Sequence, residues 1–350
     1  MDASSSRRSF VRAGAGLLAA PAVASAAQMS SSATPVPSAT PTTQPATTQS
    51  VSVVETGPID PREKYPKPPF PDQDQPWPAL ASKMDPRPDH GEKSYVGSGR
   101  LKGRKALITG GDSGMGRAAA IAFAREGADV AFGYLPQEEP DAQEVVELIR
   151  AEGRKAVPLP GDIRDEAFCR KFVTDAVQQL GGLDILVNNA ARQHSTERLE
   201  DITTELFDAV MKTNVYALFW ITQEALKHMP AGSTIISTAS IQAYDPSESL
   251  VDYAQTKAAI VSFTKSMAKQ LAQRGIRVNA VAPGPVWTPL QLGGGQGPGA
   301  LPKFGANTPF KRPAQPAELA SAYVLLADSH STYTSGEVLL ITGGHGGGAN

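Results

Sequence analysis

Cysteine occurs once in the 350 residues, at Cys169, so no disulfide can tie the chain to itself. That residue falls inside a helical pattern from Glu166 to Leu180, where a thiol serves as a small core side chain. Neither sign of charge is in excess: 33 Lys and Arg stand against 35 Asp and Glu. The balance gives no footing for nucleic acid or for a polybasic membrane contact. Long apolar runs are lacking as well. The uncharged stretch from Ala13 to Ala27 is shorter than the ~20 residues a spanning helix needs. No stable membrane anchor is therefore expected. Aromatics are few, at 6%, but hydrophobic residues reach 41%, enough for one α/β core once the first hundred residues are set aside.

Those first residues differ in kind from the rest. Ser6-Arg-Arg-Ser-Phe-Val-Arg is followed by the uncharged stretch and by Ala24-Ser25-Ala26. A positive start, an apolar middle and a small-residue cleavage site are the three parts of a secretory signal. The pair Arg7-Arg8 resembles the bacterial twin-arginine (Tat) type. Residues 1–27 are thus expected to send the protein to the periplasm; if the signal is not used, the protein stays cytoplasmic. Residues 28–57, mostly Ser, Thr, Pro, Ala and Gln, read as a disordered linker, because they cannot bury enough surface to offset ordering. Residues 58–99 keep the prolines but add Tyr65, Phe70, Trp77, Leu80, Met84 and Tyr95. Apolar anchors along a Pro-rich chain predict an extended arm lying on a folded surface, its own or a neighbour's.

From residue 100 the pattern alternates. Lys105-Ala-Leu-Ile-Thr predicts a strand, and Gly110-Gly-Asp-Ser-Gly-Met-Gly-Arg leads into a helix beginning near Ala118. A strand, a glycine turn and a helix form a phosphate site, since glycines let the backbone approach and the helix start offers free N–H groups. Strands are predicted at 129–134, 156–160, 183–191, 233–238 and 337–342, and helices at 141–152, 166–180 and 316–326. This βαβαβ order predicts a single doubly wound, Rossmann-type parallel sheet of about seven strands, with helices on both faces.

Between Ser240 and Lys257 the chain carries acid/base chemistry. Tyr253 and Lys257 are four apart, hence one turn apart on one helical face. An ammonium beside a phenol favours the phenolate and is expected to pull the Tyr pKa down. Ser240 is expected at the carboxyl end of a strand, where open α/β sheets place ligands.

Taken in order, Thr109-Gly-Gly-Asp-Ser-Gly-Met-Gly, Asp162-Ile163, Asn188-Asn-Ala-Ala, Asn214 in Lys-Thr-Asn-Val, Ser240, Tyr253 to Lys257 and Pro283-Gly-Pro-Val-Trp-Thr resemble the short-chain dehydrogenase/reductase family. The resemblance covers about residues 100 to 345. With the Pro-rich arm, including Pro68-Pro-Phe-Pro, it extends to an N-terminally extended subgroup of general-stress and aldehyde-reductase-like proteins.

The resemblance implies an NAD(P)-dependent oxidoreductase that moves a hydride between nicotinamide and a small carbonyl or alcohol. Tyr253 would be the acid/base, Lys257 would lower its pKa and hold the ribose, and Ser240 would bind the carbonyl oxygen. Asn214 would hold a water linking Lys257 to solvent, or else simply face a neighbouring element. Gly110, Asp112, Ser113, Gly114, Met115 and Gly116 would line the phosphates, with Asp162 and Ile163 at the adenine. Asn189 and Ala190 would meet the ribose, and Pro283, Gly284, Val286 and Thr288 would flank the nicotinamide.

Pro289 to Pro309 would form a substrate lid, and no metal is implied. A dimer or tetramer is expected too, because Ala258, Ala259, Ile260, Phe263 and Met267 give more apolar surface than one sheet-facing stripe uses. Two departures matter. Ala191 stands where Gly is usual, and strand 129–134 ends at Tyr134 instead of the acid that binds a ribose 2′-hydroxyl. NAD(H) and NADP(H) both stay open, with a lean to NADP(H). The alternative is a nucleotide-binding protein of this fold with little or no catalysis; loss of Ser, Tyr or Lys would mark it, and all three are present.

Overall fold

The computed structural model describes residues 57–346. The expected signal and nearly all of the expected linker lie outside the described residues. Seven parallel strands form the sheet, in the spatial order β3-β2-β1-β4-β5-β6-β7. They are β1 Lys105–Thr109, β2 Asp129–Tyr134, β3 Ala156–Pro160, β4 Ile185–Asn188, β5 Thr234–Thr238, β6 Arg277–Pro283 and β7 Val338–Ile341. The order reverses between β1 and β4, and at such a switch point the strand ends open a crevice.

Helices cover both faces, as parallel crossovers require. On one face lie α1 (Gly114–Arg125), α2 (Glu139–Ala151) and α7 (Ala317–Ala327). Phe123, Phe132, Val145, Leu319 and Tyr323 form their core. On the other face lie α3 (Glu166–Leu180), α5 (Ala217–Ala225) and α6 (Val251–Leu271), around Phe172, Val173, Ile221, Ile235 and Leu271. Cys169 is buried in this second core. The helix α3 follows from its ends. Asp165 Oδ1 accepts from Phe168 N at 2.7 Å, and Gly181 stops the helix at φ 75°.

Two strands depart from the sequence pattern. β4 ends at Asn188 rather than running to Ala191, because the N–H groups of Asn189 and Ala190 donate to Thr109 Oγ1 at 2.8 and 2.9 Å. β6 lies in a stretch for which no strand is predicted. α4 (Thr204–Met211) passes into α5 through a π-helical turn, Lys212–Tyr216, and that turn carries Asn214.

The arm lies along its own chain's folded domain. Phe70, Ala79 and Met84 are buried with Trp287, Leu292, Leu301 and Phe304 of the segment after β6. Polar ties run along its length. Arg312 donates to the Pro61 carbonyl at 2.8 and 2.6 Å, and Ala81 N donates to Asp141 Oδ2 at 2.6 Å. Glu92 meets the buried Arg117 at 3.0 Å. Among the described residues no helix is long and apolar enough to cross a membrane.

Candidate active site

A groove crosses the carboxyl ends of β3, β2, β1, β4 and β5, and one pocket fills it. Thirteen residues expected at the site line it: Gly110, Asp112, Ser113, Gly114, Met115, Tyr134, Asp162, Ile163, Asn189, Ala190, Tyr253, Lys257 and Thr288. Gly116, Asn214, Ser240, Pro283, Gly284 and Val286 are not among the residues that line this pocket.

The β1–α1 turn fits a dinucleotide on its own geometry. Gly114 adopts φ +51°, which favours glycine, and a Cβ on Gly116 would lie 1.9 Å from the Gly110 carbonyl oxygen. Any side chain there would push the turn off the helix start. Ser113 caps α1 with no side-chain bond, which leaves the first turn's N–H groups without a side-chain partner from the cap. Asn189 Nδ2 holds the turn from β4, donating to the Thr109 and Gly110 carbonyls at 3.2 and 3.0 Å.

At the β5 end, Tyr253 and Lys257 are both buried on α6. Lys257 Nζ donates to the Thr238 carbonyl at 2.8 Å and lies 5.3 Å from the Tyr253 ring centre. Ser240 follows β5, its Oγ accepting from Gln242 N at 3.2 Å. The Asn214 side chain is held by two other elements of the protein. Its Oδ1 accepts from Arg192 N at 2.7 Å, and its Nδ2 donates to Arg192 O and Thr256 Oγ1 at 2.9 and 3.0 Å. The side chain ties the end of β4 to α6 and makes no bond to Lys257.

Burial governs the charges. It pushes the Tyr253 phenol up, against the opposing effect of Ser240, and pulls Lys257 down to about 7. The expected drop in the Tyr253 pKa is therefore absent from the protein site alone. Desolvation of both groups outweighs a cation whose hydrogen bond goes to Thr238. At the other end of the groove, burial and the nearby Asp141 raise Asp112 to about 7, and one of its buried oxygens has no partner. Burial and the Asp112 charge raise Glu138 to about 8.

The family model described as Enoyl-(Acyl carrier protein) reductase matches residues 110–345. The chain belongs to the short-chain dehydrogenase/reductase family. Its similarity to the Escherichia coli oxidoreductase YghA is 56% identity over 285 residues, which is 81% of this chain and 97% of that protein. The chloroplastic NADPH-dependent aldehyde reductase 1 of Arabidopsis thaliana is 44% identical over 267 residues, 75% of this chain and 92% of that one. Among solved structures, a short-chain dehydrogenase of Burkholderia cenocepacia in complex with NADP is 34% identical with a TM-score of 0.65. That match covers 70% of this chain and 98% of the other.

For a short-chain dehydrogenase/reductase the chain has pocket residues that no motif announced. Glu138 follows β2, Arg164 and Arg192 follow β3 and β4, and Trp77 and Ala79 come from the arm. Glu138 carried the one readable signal. It sits where a helix start follows a strand end, and its Oε2 accepts from Leu135 N at 2.8 Å. Among the described residues, no group of three or more His, Cys, Asp or Glu could hold a metal ion.

Proposed function

We propose that this protein reduces the carbonyl group of a small aldehyde or ketone to the alcohol, with Tyr253 giving the proton. The observation that carries the reading is the burial of Tyr253 beside Lys257 in the groove that begins at the glycine turn. When bound, the nicotinamide supplies the hydride. The chain's own residues do the rest. Ser240 donates to the carbonyl oxygen and holds it within reach of the phenol. Burial keeps Tyr253 protonated at neutral pH, the form that can give its proton to that oxygen. Lys257, anchored on Thr238, stands where a charged ammonium stabilises the phenolate left behind. Alcohol oxidation runs the same steps backwards and needs the phenolate, so it is favoured at higher pH.

The cofactor is read as NADP(H) in preference to NAD(H). What supports this is the NADPH dependence in the name of the Arabidopsis relative and the NADP in the Burkholderia structure. Homo-oligomer formation is read from the apolar face of α5 and α6, where Tyr216 and Phe219 are exposed. Export is read from Arg7-Arg8 and the stretch that follows them.

The test of function is a screen of aldehydes, ketones, alcohols and an enoyl thioester with both cofactors, following nicotinamide absorbance. Carbonyl turnover supports the reading. Turnover of the enoyl thioester alone, or of nothing, contradicts it.

A further inference from the structure

The arm reaches the groove, and it does so beside a cation that has no acidic partner among the described residues. Trp77 and Ala79 line the same pocket as the glycine turn and Tyr253. The Arg192 guanidinium lies over the Trp77 ring, 5.1 Å from its centre. Both partners are held in place. The Asn214 side chain grips the Arg192 backbone at N and at O, fixing where the side chain starts. Trp77 packs on Gly293, where an added Cβ would lie 3.1 Å from the ring.

Among the described residues, Arg192 makes no ion pair. The acid that acts on it, Asp162, is taken by Arg164 at 2.9 and 2.5 Å. Arg164, Arg192 and Asp162 together leave one positive charge in excess at this part of the groove. A half-buried guanidinium without a carboxylate is unfavourable unless an anion reaches it. Arg is also the side chain whose planar fork suits phosphate while its face stacks on an aromatic ring. Arg192 comes two residues after Ala190, whose Cα would lie 3.1 Å from a Cβ on Gly110 of the glycine turn, and it lines the same pocket as Asp162 and Tyr253.

We propose that Arg192 and Trp77 bind the phosphate-bearing middle of the dinucleotide, so that the arm completes the cofactor site. The guanidinium pairs with a phosphate and the indole backs its plane. This rests on the reading that the groove holds NADP(H) or NAD(H). The same chemistry could serve a carboxylate or phosphate on the substrate, and the experiment separates the two.

Full-length wild type, Arg192→Gln, Trp77→Ala and Trp77→Phe are compared for NADPH dissociation constant and off-rate by stopped-flow fluorescence. The melting temperature of the cofactor-free proteins reports on folding. Loss of one charge-assisted contact should weaken NADPH binding about tenfold to a hundredfold in Arg192→Gln. The dependence of affinity on salt should become shallower in that variant. Trp77→Ala should raise the off-rate, while Trp77→Phe, which keeps an aromatic face, should stay near wild type. NADPH affinity and off-rate unchanged in both Arg192→Gln and Trp77→Ala would overturn the assignment. So would a loss seen only in the KM of substrates carrying a carboxylate or phosphate. If wild type binds neither dinucleotide, the functional reading falls and this one with it.

Discussion

Phe70 of the arm stacks on Trp287 of the segment after β6, with ring centres 4.3 Å apart and planes 26° from parallel. Trp287 is fully buried and donates its Nε1–H to the Pro86 carbonyl at 2.8 Å. The arm thus grips Trp287 from two places. Phe70→Ala should cost about 3–5 kcal/mol, the range for a buried Phe emptied to a cavity. Thermal unfolding of the purified variant should show a clear drop in melting temperature. An unchanged melting temperature would mean that this contact is not formed in solution.

Asp112 and Glu138 give the site a pH dependence of definite sign. Both line the groove near the end of β2, where doubly wound folds place the adenosine ribose. Their pKa values are raised to about 7 and about 8. Below about 7 both carboxyls are neutral and can donate to a 2′-phosphate; above about 8 both are charged and repel it. A phosphate itself titrates near ~6, so it is already a dianion across this window. The preference for NADPH over NADH should fall as pH rises from about 6.5 to 9, and Glu138→Gln should flatten the fall. Dissociation constants for both cofactors across that range decide it, and a constant ratio in wild type would refute it. The same shifts bear on stability. Carboxyls whose folded pKa exceeds the unfolded value favour folding at low pH, and that contribution is lost as pH rises through about 8.

An apolar cleft between α5 and α6 is lined by Tyr216, Phe219, Trp220 and Phe263. Phe219 is 50% exposed and Tyr216 45%. Such a patch marks a contact surface, and the expected partner is a second copy of this chain. Light scattering should give a dimer or tetramer for wild type and a smaller species for Phe219→Asp. A monomeric wild type would contradict the expectation.

Much of the fold was legible because local pattern and tertiary role agree. β1, β2, β3 and α3 lie within the bounds their apolar periodicity and caps suggest. The end of β4 is not legible because nothing in Asn189 or Ala190 reveals that the Thr109 hydroxyl takes their N–H groups. β6 is not legible because Asn279 interrupts its apolar run; in the fold that side chain donates to the Thr334 carbonyl at 2.8 Å and accepts from Glu337 N at 3.1 Å. At the site, motif residues could be placed because their spacing is tied to chain turns. Trp77 and Arg192 could not, since their meeting depends on how a Pro-rich arm crosses the groove. The direction of the Tyr253 shift is not legible for a similar reason. Spacing puts Lys257 one turn away but says nothing of how deeply both groups are buried.

The proposed export rests on Arg7-Arg8. Replacing both by Lys should trap a full-length precursor inside the cell, whereas the native chain should be found outside the cytoplasm beginning near Ala27. Native protein in the cytosol with its first residues intact would rule out export.

The central claim is that Tyr253 is the acid/base of a carbonyl reduction, and one comparison addresses it directly. Turnover of a carbonyl substrate found in the screen is measured for wild type and Tyr253→Phe, with NADPH affinity determined on the same samples. The account predicts nearly equal affinity and turnover lower by roughly 10²–10⁴-fold, the contribution of one positioned proton donor. Wild-type turnover in Tyr253→Phe, with the cofactor bound normally, would contradict it.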